Sequence, residues 1–318
     1  RMITLLGPTA SGKTSLAVRL AHCLGGEILS ADSRQVYQGM NVGTGKDLSE
    51  YEYEGVQIPY HLIDLVPAGT KYNLFAWQHA FHQVYAELLH RGVSYPILCG
   101  GTGLYAEAVL SGYHLPDVEP NPALRSSLQG LSLEELRERL SQYGPLHNRT
   151  DLDSPQRAIR AIEIADYIHC QREAGIEYTE YPPIDSLILC IDLPREERRA
   201  RITARLRERL EREDMIGEVE RLLDSGIPAE DLIYYGLEYK FVTQHILGQL
   251  TREELFTSLE TAIHQFAKRQ MTWFRGMERR GFTLHYIDGT LPQEEQLSQA
   301  LTYLKSWEEQ RAQDQATI

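Results

Sequence analysis

Short apolar runs alternate with amphipathic stretches over the first hundred residues. Residues 3–6, 27–30 and 95–99 are compact runs of strand length. Between them, apolar positions recur at helical spacing over residues 14–24 and 77–89. Strand and helix in alternation predict an α/β fold with a parallel sheet flanked by helices. At residue 116 the texture changes. Pro116, Pro120 and Pro122 mark a boundary, and the stretch to Gly175 carries only helical periodicity. Ser132 and Glu135 form a capping box that opens a predicted helix over 133–143. A second helix is predicted over 156–171, with Ile159, Ile162 and Ala165 on its apolar face. Pro182 and Pro183 close the segment, and 187–193 reads as strand again. The pattern therefore predicts a core of residues 1–115 and 184–318, interrupted by an all-helical subdomain at 116–183. Two long helices follow, an arginine-dense one over 196–213 and another over 252–277 that opens at Thr251 with Glu254. Leu255, Leu259, Ile263, Phe266 and Phe274 are expected to turn its apolar face to the core. The polar tail beyond Trp307 is expected to fray.

Composition changes this picture little. With 42% hydrophobic and 24% charged residues, the 318-residue chain is that of an ordinary globular protein. Three of the four cysteines read as small buried hydrophobes, which suits a reducing, cytoplasmic setting. No apolar run reaches membrane-spanning length. The opening residues are too short for a signal-peptide core and read as a first strand. None of the eleven histidines has metal-ligand spacing. Charge matters more: 32 basic against 45 acidic residues give −13, which opposes a nucleic-acid partner unless basic residues cluster locally.

The strongest chemical signal is Gly7-Pro8-Thr9-Ala10-Ser11-Gly12-Lys13-Thr14, which fits GxxxxGK[ST] between a predicted strand and a predicted helix. Such a loop turns backbone N–H groups inward around a phosphate, aided by the helix N-terminus. Lys13 neutralises phosphate oxygens, and the Thr14 hydroxyl is placed to ligate Mg²⁺. The motif specifies a diphosphate or triphosphate, not a reaction. A kinase needs a strand ending in a carboxylate for Mg²⁺. Residues 61–64 and 189–192 offer Asp64 and Asp192, whereas the strand over 95–99 ends in Gly100-Gly101-Thr102.

Further segments resemble the tRNA dimethylallyltransferase (tRNA isopentenyltransferase) family. They are Ser30-Ala31-Asp32-Ser33-Arg34-Gln35-Val36-Tyr37, Gly100-Gly101-Thr102-Gly103-Leu104-Tyr105, Pro155-Gln156-Arg157 with Arg160-Ala161-Ile162-Glu163, and Ala267-Lys268-Arg269-Gln270-Met271-Thr272-Trp273-Phe274-Arg275. With the phosphate loop they run in the family's order along nearly the whole chain. The resemblance implies a dimethylallyl diphosphate donor in the P-loop, Mg²⁺ as cofactor, and an adenine beside the tRNA anticodon as acceptor. It implies Asp32 as general base for the adenine amine and Thr102 as an acceptor contact. It further implies tRNA contacts at Asp32, Ser33, Arg34, Gln35, Thr102, Arg125, Gln156, Arg157, Ala158, Ile159 and Arg160, and diphosphate contacts at Arg201 and Arg205. A monomer is expected. Two segments depart from the family pattern. Gly236-Leu237-Glu238-Tyr239-Lys240 stands where Gly-Tyr-Arg-Gln is usual, and Gly45-Lys46-Asp47 where Ala-Lys-Pro is usual.

Each of these residues also has a plainer reading. Asp32 suits an Asx turn, Gly100-Gly101-Thr102 a tight turn, and the arginines of 195–212 a solvated helix with i,i+4 pairs to glutamates. Trp273 and Phe274 read as core. Acting on free adenylate, or as a small-molecule kinase, are the competing activities; a non-catalytic P-loop RNA binder is a third. The Gln156-Arg157 and Arg160 set in the insert favours tRNA over a free nucleotide.

Overall fold

The computed structural model describes residues 1–112, 118–144, 149–175 and 181–317. In chain order the strands are β1 (Met2–Leu6), β2 (Glu27–Ser30), β3 (Tyr37–Gln38), β4 (Glu52–Tyr53), β5 (Val56–Gln57), β6 (Tyr60–His61), β7 (Val66–Pro67), β8 (Pro96–Gly100), β9 (Ser186–Asp192) and β10 (Leu284–Asp288). Six of them form the central sheet in the order β10-β9-β1-β8-β2-β6, every neighbouring pair parallel. The short β3–β7 and β4–β5 pairs stand apart from it.

Strand β1 shows why a central strand of this sheet is mostly apolar along its length. Met2 and Leu6 share a core with Trp77, Phe81 and Phe274. Ile3 and Leu5 pack on the other side with Leu16, Leu20, Ala300 and Leu304. Burial on both faces removes the need for polar alternation. The helices on the second face are α1 (Lys13–Leu24) and the C-terminal helix Gln293–Ala316. On the first lie α2 (Leu74–His90), α3 (Gly103–Ser111), the arginine-rich α7 (Arg195–Glu211), and α11 (Arg252–Arg279). Between α7 and α11 run α8 (Met215–Asp224), α9 (Ala229–Tyr234) and α10 (Leu237–Ile246).

The chain separates into two compact units, Arg1–Ser111 with Pro183–Ile318, and Gly112–Pro182. The boundary read at residues 115 and 116 lies outside the described residues. The second unit is helical, built from α4 (Pro122–Leu128), α5 (Leu133–Ser141) and α6 (Pro155–Glu173) around Leu128, Leu136, Leu140, Ala158 and Ile162. Its capping box forms in full: Ser132 accepts from the Glu135 backbone, and Glu135 accepts from that of Ser132.

Three expectations change. The tail does not fray at Trp307, because α12 (Gln293–Ala316) continues there. Arg311 lies over the Trp307 ring at 4.5 Å and pairs with Asp185, a distant partner that stabilises the last turns. Only Cys99 and Cys190 are buried; Cys23 and Cys170 are exposed. Phe266 is half-buried beneath the Arg34 guanidinium, 5.6 Å from its ring, whereas Leu255, Leu259, Ile263 and Phe274 are buried.

Candidate phosphate and acceptor site

Parallel strands deliver their C-terminal ends to one edge, where ligands of open α/β sheets gather. Here β1 leads into the loop 7–12, β8 into Gly101-Thr102 and β2 into Ala31-Asp32, and the three strands are neighbours in the sheet. The loop curls through positive φ at Ala10 (60°) and Gly12 (85°), which turns successive N–H groups inward. A Cβ on Gly7 would lie 2.6 Å from Ser11 Oγ, so only glycine lets the loop close this tightly. Ser11 Oγ is buried with no hydrogen-bond partner among the described residues, a donor suited to a phosphate oxygen. Burial lowers the proton affinity of Lys13, and the charge of Asp32 opposes that shift, so the two side chains share one electrostatic environment.

The acceptor side is stitched to this edge by backbone contacts. Ala31 N–H donates to Cys99 O (2.8 Å) and Thr102 N–H to Ala31 O (3.2 Å). A Cβ on Gly100 would stand 2.2 Å from Ala31 O, so this close approach of β8 to the β2 loop requires glycine. Thr102 Oγ1 accepts from Ser33 N–H at 3.2 Å. Asp32 Oδ1 accepts from Arg34 N–H at 2.9 Å, so the Asx turn forms as its plain reading anticipates, with the carboxylate's charge still felt at Lys13. Burial pushes the neighbouring Cys99 thiol up to about 12, which keeps it neutral and unreactive.

Other implied contacts are already engaged. Arg34 pairs with Glu238 at 2.9 Å and with Asp32 at 3.7 Å. Buried Glu238 also meets buried Arg209 at 3.2 Å. The departure at Gly236–Lys240 thus places a carboxylate between two arginines, an arrangement that suits Glu at 238. Gln35 turns inward, donating to Thr44 O and Gly45 O. Arg201 donates to Ser11 O (3.5 Å) and Gly289 O (2.9 Å) and pairs with Glu197, which sets it against the phosphate loop. Arg205 pairs with Asp47.

Within the helical unit, the implied tRNA contacts divide. Arg125 and Arg160 both pair with Glu163, which is 1% exposed, and Arg160 also donates to Val118 O. Ala158 is fully buried in the unit's own core, so its side chain is withdrawn as a contact, and Ile159 is half-buried. Gln156 and Arg157 are exposed, Arg157 pairing with exposed Asp153 at 3.2 Å.

Gln270 belongs to one of the sequence segments above but drew no role from residue type. Buried on α11, it accepts from Thr9 N–H at 2.9 Å and donates to Gly101 O at 3.1 Å. One amide thereby joins the phosphate loop to the Gly-Gly-Thr turn. The carboxylates sought for a kinase are differently disposed. Asp64 follows a strand of only two residues, has φ 56° and pairs with buried Lys46. Asp192 ends β9 at the rim of a cleft of about 1020 Å³. Arg195, Arg198, Arg199, Lys268 and Arg275 line that cleft. Burial, then Arg275 and Arg195, lower the proton affinity of Arg198, a sign of crowded cations. Five basic side chains thus gather at this cleft, which Asp192 and Asp288 also line. Among the described residues no cluster of three His, Cys, Asp or Glu side chains could hold a metal, and no helix is long and apolar enough to cross a membrane.

Family models match most of this chain: one described as IPP transferase covers residues 35–277, and one described as isopentenyl transferase covers residues 1–63. The chain is 68% identical over 295 residues to tRNA dimethylallyltransferase 1 of Porphyromonas gingivalis, spanning 93% of this chain and 96% of that one. It is 57% identical over 305 residues to tRNA dimethylallyltransferase 1 of Parabacteroides distasonis, spanning 96% and 98%. Among solved structures, the full-length tRNA isopentenylpyrophosphate transferase of Bacillus halodurans matches with TM-score 0.72 at 28% identity over 99% of each chain.

Proposed function

This chain belongs to the IPP transferase family and modifies tRNA by dimethylallyl transfer; we propose that it moves the group from dimethylallyl diphosphate, held at Gly7–Thr14, to the N6 amine of an adenine beside the anticodon. The observation that carries this reading is the adjacency of β1, β8 and β2, which opens the phosphate loop, Thr102 and Asp32 at one edge. The adenine amine is a weak nucleophile because its lone pair is delocalised into the ring. As the N6–C1 bond forms and the C1–O bond breaks, Asp32 accepts the amine proton. The departing diphosphate gains charge, which the loop amides, Lys13, Arg201 and Arg205 meet with donors already in place. Thr102 keeps its turn against the Asp32 loop and offers its hydroxyl to the acceptor. The Thr14 hydroxyl would hold Mg²⁺, an ion that needs few protein ligands. When bound, it neutralises diphosphate charge.

The basic cleft between α7 and α11 suits the tRNA backbone, and exposed Gln156 and Arg157 suit a second contact on the helical unit. The adenine must leave its stack to reach Asp32. We read the chain as a cytoplasmic monomer. Pairing of Asp64 with Lys46 disfavours the kinase reading. The test is incubation with labelled dimethylallyl diphosphate, Mg²⁺ and unmodified tRNA, followed by nucleoside analysis. Label in N6-dimethylallyl adenosine without ADP formation supports the proposal. Stoichiometric ADP release, or AMP outcompeting tRNA as acceptor, contradicts it.

A further inference from the structure

Arg205 lies one helical turn beyond Arg201, which donates to Ser11 O of the phosphate loop, and its positive charge opposes that of Lys13. Its guanidinium is nonetheless bound to a protein anion, Asp47. Asp47 has φ 34° and precedes the 3-10 turn Leu48–Tyr51 without capping it through its side chain. The carboxylate is therefore directed at Arg205 and is not spent on its own backbone.

The loop that carries Asp47 is anchored from behind. Buried Glu218 accepts from the N–H groups of Asn41 (3.0 Å), Val42 (2.7 Å) and Gly43 (3.1 Å), and from the Tyr239 hydroxyl (2.6 Å). Buried Lys46 donates to Tyr37 O, Asp64 and Asn41 Oδ1. So much fixation keeps Asp47 near the site when a ligand enters. Burial, and then the charge of Asp47, raise the proton affinity of Glu50 one turn on, while Arg205 and Lys13 lower it. The same cations thus face two carboxylates.

We propose that Asp47 is a built-in competitor of the donor diphosphate for Arg205, and so an affinity-determining residue of the site. This rests on the reading of Arg205 as a diphosphate ligand. A phosphate oxygen entering there replaces an arginine–carboxylate pair with an arginine–phosphate pair, so binding gains only the difference between two charge-assisted contacts. Asp47 also remains close to the incoming negative charge. On the product side the effect reverses: recapture of Arg205 by Asp47 favours release of pyrophosphate, which an uncontested set of cations would retain.

Calorimetric titration of the full chain with inorganic pyrophosphate and Mg²⁺ tests this in the unmodified protein, Asp47→Asn, Arg205→Ala and the double variant. Asparagine keeps the size of Asp47 and tolerates its left-handed backbone, so the loop is preserved. Asp47→Asn is expected to bind pyrophosphate about 3- to 10-fold tighter and Arg205→Ala weaker, and most of the Asp47→Asn gain should vanish in the Arg205→Ala background. Unchanged or weaker binding by Asp47→Asn, or a gain that persists in full without Arg205, overturns the competitor role and leaves the phosphate-loop reading intact. Failure of the unmodified chain to bind pyrophosphate overturns both.

Discussion

The hydroxyl oxygen of Thr102 accepts a hydrogen bond from the backbone N–H of Ser33 at 3.2 Å, fastening the turn after β8 to the loop that carries Asp32. Position of the base relative to the acceptor thus depends on a contact between Ser33 and Thr102, 69 residues apart in sequence. Small displacements of a catalytic group carry large kinetic effects.

Thr102→Val, which keeps the shape and deletes the acceptor, is expected to lower single-turnover transfer by about 10-fold while pyrophosphate binding stays unchanged. Thr102→Ser should restore most of the rate. A valine variant with full turnover would remove Thr102 from the site.

Gln270→Leu breaks the link between Thr9 N–H and Gly101 O. A backbone donor left unsatisfied in a part-buried site costs about 1–3 kcal/mol. Lower thermal stability together with weaker pyrophosphate binding is expected. Calorimetry and thermal unfolding check it, and loss of stability without any change in binding would confine Gln270 to a structural role.

Arginines of the helical unit should separate into two kinds. Arg157→Ala is expected to weaken tRNA binding and reduce the slope of log K against log salt by about one, with thermal stability unchanged. Arg125→Ala and Arg160→Ala each remove a partner from buried Glu163, so faster amide exchange in α6 should accompany any loss of tRNA affinity. Equal exchange in all three variants would contradict this division.

Acid stability offers a test of the sheet edge away from the site. Paired hydrogen bonds from Arg91 hold the Glu27 carboxyl below the usual glutamate range, against the opposing effect of burial. A depressed folded-state pKa means that the contribution is present above the unfolded value, near 4.3, and lost as pH falls through the lower folded value. Arg91→Ala should therefore destabilise the protein to urea at pH 7 and make its stability fall less steeply between pH 5 and about pH 3. Parallel stability curves for the two proteins would contradict the pairing.

These elements differ in how far the sequence alone reveals them. The phosphate loop is legible because its spacing is local and both flanking elements obey simple periods. Ser186–Asp192 is legible because burial on both faces makes its centre, Leu187–Ile191, a continuous apolar run. β10 escapes notice because its middle residues, His285 and Tyr286, are only partly buried. The last turns of α12 are polar, and they are held by Asp185 through Arg311, a contact that no local window contains. The same holds at the site. Gln270 meets Thr9 across 261 residues and Arg205 meets Asp47 across 158, so neither partnership follows from residue type. Glu163 shows the converse: the segment that carries it is conspicuous in sequence, yet its charge is used inside the helical unit to hold Arg125 and Arg160.

The most direct measurement is single-turnover transfer by Asp32→Asn, with donor and tRNA preloaded at saturating concentration. Asparagine retains the acceptor oxygen for Arg34 N–H, so the turn survives while the proton acceptor is removed. The account predicts a rate lower by a factor on the order of 10²–10⁴, with pyrophosphate and tRNA affinities within about twofold of the unmodified chain. Near-normal transfer by Asp32→Asn would contradict it and leave Asp32 as a turn residue only.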